Sequence, residues 1–194
     1  MAIKTFTTGE VLTASDTNTY LANSGMTYVG EFTASGTSRA LVCDNVFTST
    51  YTHYKIVFSL SALSNTNGLY FQYLDSGGAT VSAGYYSSAY GQDFTTGVTA
   101  FGGVLNGTTA VFLGYIPNST TNRVAGAVEI YNPNVALVTN TTGNYSGIAS
   151  GAAYFGGASY SMTTVTTVMR GIRFDNGGGT NLTGKVQIYG YRIA

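Results

Sequence analysis

The sequence predicts an all-β protein: an antiparallel β-sandwich, jelly-roll-like, preceded by a short N-terminal segment that contains a helix. Three observations lead there. The composition joins turn formers to strand formers, with 26 Gly, 16 Tyr and 10 Phe against two Pro. Gly and Asn reach the backbone angles of tight turns, while Tyr, Phe, Val, Ile and Thr suit a pleated, half-buried surface. Tyr54-Lys55-Ile56-Val57-Phe58-Ser59-Leu60 places a large apolar side chain at every second position, the period of a strand with one buried face. Finally, Gly- and Asn-containing pairs recur between short apolar runs at sandwich-like spacing. A closed barrel is the architectural alternative.

Taken in order, residues 1–25 differ from residues 26–194, and the chain divides there into an attachment-type segment and one β domain. Thr13-x-x-Asp16 is a relative of the capping box, so a short helix should begin at Thr13, with Tyr20 and Leu21 on one face and Asn23 to Gly25 ending it. A helix of about ten residues is marginal alone in water and must dock on something, its own domain or a neighbour. Beyond Met26, strands are expected at 54–60, 69–74, 109–116, 123–131, 162–174 and 185–193, within a total of about eight to ten. Turns are expected at Asn67-Gly68, Ser76-Gly77-Gly78, Gly102-Gly103, Asn106-Gly107, Gly143-Asn144 and Asp175 to Gly179. The run to Ala194 carries no polar tail, so the last strand should be integral to a sheet.

Charge narrows the function classes. Charged residues make up 8% of the chain, eight acidic against eight basic, and the formal net charge is zero. Such a chain has no long-range field to attract nucleic acid or anionic lipid, and little colloidal protection against self-association. Its polar surface must be Thr, Ser, Asn, Gly and Tyr, which suits a protein covered by copies of itself or by neighbours. Cys43 is the only cysteine, so no intrachain disulfide forms. No apolar run has signal-peptide or membrane-span length, and the chain is expected to be soluble and made in a cytoplasm.

The sequence holds no recognisable catalytic constellation. His53, the only histidine, has no Gly-x-Ser-x-Gly elbow and reads as an ordinary surface or strand-edge residue. One His and one Cys cannot build the usual zinc sites, and the eight carboxylates are well separated. Gly177-Gly178-Gly179 lacks the Lys-Ser or Lys-Thr of a phosphate loop. No catalytic residue, metal or cofactor is expected. Arg170 and Arg173 should point to opposite faces of a regular strand, one of them buried and paired, with Asp175 the candidate partner. Aromatics stand out instead. Tyr85, Tyr86, Tyr90 and Phe94 lie in a Gly/Ser-rich stretch where not all can be core, with Tyr145, Tyr154 and Tyr160 as a looser second group. Exposed Tyr rings stack on sugars or anchor protein interfaces; cross-strand pairing inside the sandwich is the competing use.

The opening residues Phe6, Gly9-Glu10-Val11-Leu12-Thr13-Ala14 and Asp16-x-Asn18-x-Tyr20-Leu21 resemble the N-terminal segment of many small virion proteins of tailed bacteriophages. The closing Tyr189-Gly190-Tyr191 is similar to the last strand of such proteins. The resemblance covers about a fifth of the chain in motif and the remainder in style. It implies attachment to other virion proteins through residues 1–25, with Phe6, Val11, Leu12, Tyr20 and Leu21 as the apolar contacts. It also implies a β domain displayed outward, a virion location after synthesis in the bacterial cytoplasm, and no catalytic residues. The expected function is that of a tail-fibre or adhesin-like subunit. Homotrimerisation is expected, with Tyr85, Tyr86, Tyr90 and Phe94 meeting a host-surface carbohydrate or a partner. Neither nucleic acid binding nor membrane insertion is expected. A head-decoration or cement protein is the alternative, and a cellular carbohydrate-binding module is disfavoured by the N-terminal segment.

Overall fold

Alternation at the strongest strand organises the molecule. In a computed structural model, which describes residues 7–11, 13–16, 25–62, 67–94, 97, 99–107, 111–116, 122–148, 154–177 and 179–191, strand β3 (His53–Ala62) buries Tyr54, Ile56, Phe58 and Leu60 completely or nearly so. On either side of it, β8 (Val124–Tyr131) buries Val124, Val128 and Ile130, and β12 (Leu182–Tyr191) buries Leu182, Val186 and Ile188. Burying each such side chain contributes about 1.5–3 kcal/mol. The opposing layer returns Leu41, Cys43, Leu69, Phe71, Tyr73, Ile172 and Phe174 to the same core, and Phe58 meets Phe174 across the layers at 6.0 Å.

The remaining strands are β1 (Met26–Ser35), β2 (Ala40–Cys43), β4 (Asn67–Asp75), β5 (Tyr85–Asp93), β6 (Thr99–Gly107), β7 (Val111–Ile116), β9 (Thr139–Ile148), β10 (Tyr154–Thr163) and β11 (Met169–Asn176). They form two antiparallel sheets, one of eight strands ordered β1-β12-β3-β8-β9-β10-β5-β6 and one of four ordered β2-β11-β4-β7. β1-β12-β3-β8 with β2-β11-β4-β7 is the eight-strand, double Greek-key arrangement of a jelly roll. The other four strands are two insertions. β5–β6 enters between β4 and β7, β9–β10 enters between β8 and β11, and the two meet through β10–β5 pairing to prolong the large sheet beyond β8. The predicted all-β jelly-roll sandwich is therefore present, with an extension that sequence reading did not expect.

Several local expectations are corrected. The expected single strand at 162–174 is two: β10 ends at Thr163, the chain turns, and β11 starts at Met169 in the other sheet. Gly102-Gly103, Asn106-Gly107, Gly143-Asn144 and Asn67-Gly68 lie in strands, not turns. Gly143 shows why: a Cβ there would sit 2.5 Å from Val128 Cγ1, so glycine serves close strand packing. Ser76-Gly77-Gly78 does turn, with Asp75 Oδ1 accepting from the amides of Gly77 and Ala79. Arg170 and Arg173 do not take opposite faces, because a register shift between Met169 and Gly171 breaks the regular alternation. Arg173 pairs with Asp175 as expected, Arg39 joins them, and Arg170 forks onto Asp44.

In the N-terminal segment, Thr7 and Glu10 close a turn, and Ala14–Asp16 form one helical turn, α1, directly after Thr13. Val11 is exposed, whereas Phe6, Leu12, Tyr20 and Leu21 lie outside the described residues.

Candidate functional site

Pleating sends the neighbours of the buried positions to the outer face of the large sheet. On β3, His53, Lys55, Val57 and Ser59 alternate with the core residues, and antiparallel register lines them up with equivalents on every neighbour. One row runs Tyr191, His53, Tyr131, Asn140, Met162, Tyr86 across six strands. The next, two residues along, runs Tyr28, Tyr189, Lys55, Glu129, Thr142, Tyr160, Ser88. Tyr90 lies two residues further along β5 on the same face, and Phe94 just beyond that strand reaches over Gly156.

The centre is held by aromatic and polar contacts. The His53 ring lies between Tyr131 and Tyr191, with centroids 4.2 and 4.5 Å away. Its Nε2 is 3.3 Å from Glu129 Oε2, close enough for ionic attraction when protonated but out of line for a hydrogen bond. The Tyr131 hydroxyl donates to Glu129 Oε2 at 3.1 Å. The Tyr191 phenol is pushed above its ordinary value, first by desolvation and then by the negative Glu129. Tyr28 and Tyr189 meet edge to face at 5.8 Å. Lys185 and Gln187 both donate to Glu31, and these bonds, Lys185 first, hold its carboxyl below the ordinary range.

Toward the extension the face is more open. Tyr86, Tyr90, Tyr160, Met162 and Phe94 are exposed by 36, 44, 56, 38 and 61%, which makes this the main concentration of exposed large apolar side chains among the described residues. Three of the four sequence-predicted aromatics, Tyr86, Tyr90 and Phe94, thus share one face, and Tyr160 of the second group joins them.

Tyr85 does not. Its position one residue before Tyr86 turns it inward, where it is fully buried, stacked on Tyr73 at 6.2 Å, receiving a bond from the Tyr73 amide and donating to the Val81 carbonyl. Burial drives both phenols well above their ordinary value. Tyr85 is a clip between sheets, not a contact residue. Tyr145 is likewise buried, its hydroxyl donating to the Tyr90 carbonyl.

Sequence reading missed the central group, His53, Tyr131, Tyr189, Tyr191 and Tyr28. The signal was present in the strand at 54–60, whose off-phase neighbours necessarily share the opposite face, but the partners come from strands far apart in sequence. Chemically, the face offers flat rings beside hydroxyls, amides and a largely neutralised set of charges, a surface suited to stacking and hydrogen bonding. Among the described residues no three His, Cys, Asp or Glu side chains are grouped to hold a metal ion, and no helix is long and apolar enough to cross a membrane.

No protein family matches the sequence, and no curated protein is similar to it. Among solved structures, the chain is similar to the Caenorhabditis elegans galectin LEC-6, at 12% identity over 84% of this chain and 99% of that one, with a TM-score of 0.34.

Proposed function

We propose that the chain is a non-enzymatic virion structural subunit of the tail-fibre or adhesin kind. Residues 1–25 attach it to other virion proteins, and the outer face of its large sheet meets saccharide on the host surface. The observation that carries the contact half of this reading is the pair of aromatic rows, with Tyr86, Tyr90 and Tyr160 exposed among hydroxyl and amide side chains. A sugar ring presents an apolar C–H face and a fringe of hydroxyls, which Tyr rings and neighbouring Asn, Thr and Ser groups match together. The attachment half rests on the N-terminal motif. A net charge of zero fits subunits packed against copies of themselves, as a homotrimer that hides sheet edges such as β1.

Binding of the purified full-length chain to host cells and to a glycan array tests the contact. Tyr160→Ala and Tyr90→Ala should each weaken it about tenfold without unfolding the protein, the loss of one stacked ring. Absence of binding to cells and array alike counts against it. Immunogold labelling of particles tests the location: label at the tail supports the reading, and label over the head replaces it with capsid decoration. Sedimentation at three times the chain mass of 20.3 kDa supports the trimer.

A further inference from the structure

Six residues along β3 from His53, about 20 Å away, the same face dips into a shallow basin of about 470 Å³ around Thr33, Ser59, Arg123, Thr183, Gly184 and Lys185. Arg123 distinguishes this place. Arg39 and Arg173 meet Asp175, Arg170 meets Asp44, and Lys185 meets Glu31. Lys55 stands directly opposite Glu129 in the β3–β8 register. Among the described residues, no carboxylate lies within ion-pair distance of Arg123; its guanidinium Nη1 donates instead to the Ser59 carbonyl at 3.5 Å.

Its placement is built into the strand beneath. Gly184 has φ +120°, a conformation that strains any L side chain, and a Cβ there would lie 2.6 Å from Arg123 Nη1 and 2.1 Å from the Ser59 oxygen. Glycine therefore leaves the space in which the guanidinium lies against the sheet, in a basin that Thr33, Ser59 and Thr183 also line. The Lys185 ammonium stands on the same wall, its charge balanced by Glu31, so the basin carries one net positive charge in planar, fork-shaped form. That form matches a carboxylate. A single cation does not match the repeating phosphates of a nucleic acid.

We propose that this basin binds the carboxylate of an acidic saccharide, with Arg123 as the gripping group and the surrounding hydroxyls meeting the sugar's own. The inference rests on the glycan-contact reading above and assigns that contact its ligand class.

The test uses the full-length chain on an array of neutral and carboxylate-bearing glycans, each acidic glycan also present with its carboxyl reduced to an alcohol. Binding should favour the acidic forms over their reduced counterparts by about tenfold or more, and 0.5 M salt should erase much of the difference. Arg123→Gln should lower affinity for the acidic forms to that for the reduced ones and leave the reduced ones unchanged. Arg123→Lys should fall between. Equal binding of acidic and reduced glycans, or unaltered binding by Arg123→Gln, overturns the inference and leaves the contact reading standing. No glycan binding by the wild-type chain removes both. Displacement of the bound glycan by inorganic phosphate as readily as by free glucuronate overturns the saccharide assignment.

Discussion

The two halves of the large sheet are built on different chemistry. In the jelly-roll half, the inner face of β12, β3 and β8 is Val186, Ile188, Ile56, Phe58, Leu60, Val128 and Ile130, all fully buried or nearly so. In the extension, the corresponding positions of β9 and β10 are Thr139, Thr141, Ser159, Ser161 and Thr163, with Tyr145 and Phe155 toward one end. Hydroxyl side chains bury little apolar area and lose their bonds to water. Thr139, Ser159 and Ser161 each have a buried hydroxyl with no hydrogen-bond partner among the described residues. Thr141 is an exception, bonded to the Tyr73 hydroxyl of the small sheet. The apolar burial is thus denser in the jelly roll, while the extension is held by pairing to β8, by packing of β9, β10 and β5 on β7 of the small sheet, and by the Tyr73–Tyr85–Thr141 contacts. Among the described residues, that extension carries most of the exposed aromatics.

The largest effect is expected at the jelly-roll core, where Phe58→Ala should cost about 3–5 kcal/mol in urea unfolding. Native-state hydrogen exchange on the wild type should correspondingly show β3 and β12 opening only with global unfolding, and β10 and β5 opening at lower free energy. Uniform protection across both halves would contradict the division.

Next comes the clip. Tyr85→Phe leaves the Tyr73 amide buried without its acceptor and should cost about 1–3 kcal/mol. Tyr86→Phe, one residue away on the open face, should stay within about 0.5 kcal/mol. Equal effects would mean that the clip does not hold the layers. A smaller effect of opposite sign is expected inside the extension: Ser159→Ala removes an unsatisfied hydroxyl and should be neutral or stabilising by up to about 1 kcal/mol in the same assay. Clear destabilisation would show that the hydroxyl has a partner in solution.

The least of these effects is a pH dependence at the small sheet of the jelly roll, where Arg170 of β11 meets Asp44 just after β2. The Arg170 hydrogen bond, more than any other influence, holds the Asp44 carboxyl below its ordinary value of 3.8. A depressed carboxyl contributes stability that is complete above the unfolded value and is lost as pH falls through the folded value. The wild type should therefore lose a little stability below about pH 4, and Asp44→Asn should flatten that part of a Tm-against-pH curve. The pair is about a third exposed, so solvent screening keeps the change small.

Much of the jelly-roll half was legible because its signal is local. The alternation at 54–60 named its buried face correctly, and the strands at 69–74, 123–131 and 185–193 matched β4, β8 and β12 within a few residues. The extension was illegible for a physical reason. Thr-Asn-Thr-Thr-Gly-Asn-Tyr-Ser and Gly-Gly-Ala-Ser-Tyr-Ser have no hydrophobic period, and their Gly-Asn and Gly-Gly pairs look like turns when read alone. The candidate face was half legible: Tyr86, Tyr90 and Phe94 lie close together in sequence, whereas Tyr191, His53 and Tyr131 meet only through pairing.

By itself, then, the sequence determined the β class, the neutral polar surface, the absence of a disulfide and the identity of the strongest buried strand. These follow from composition and from a two-residue period, which any short window contains. Tertiary structure alone decided the strand order, the four-strand extension, the inward turn of Tyr85 and the gathering of the outer-face aromatics. Those depend on partners that only pairing brings together, such as Ser88 with Tyr160 in β5 and β10, or Ser61 with Thr183 at 2.7 Å in β3 and β12. A one-residue difference in phase along such a partner sends a side chain to the other face.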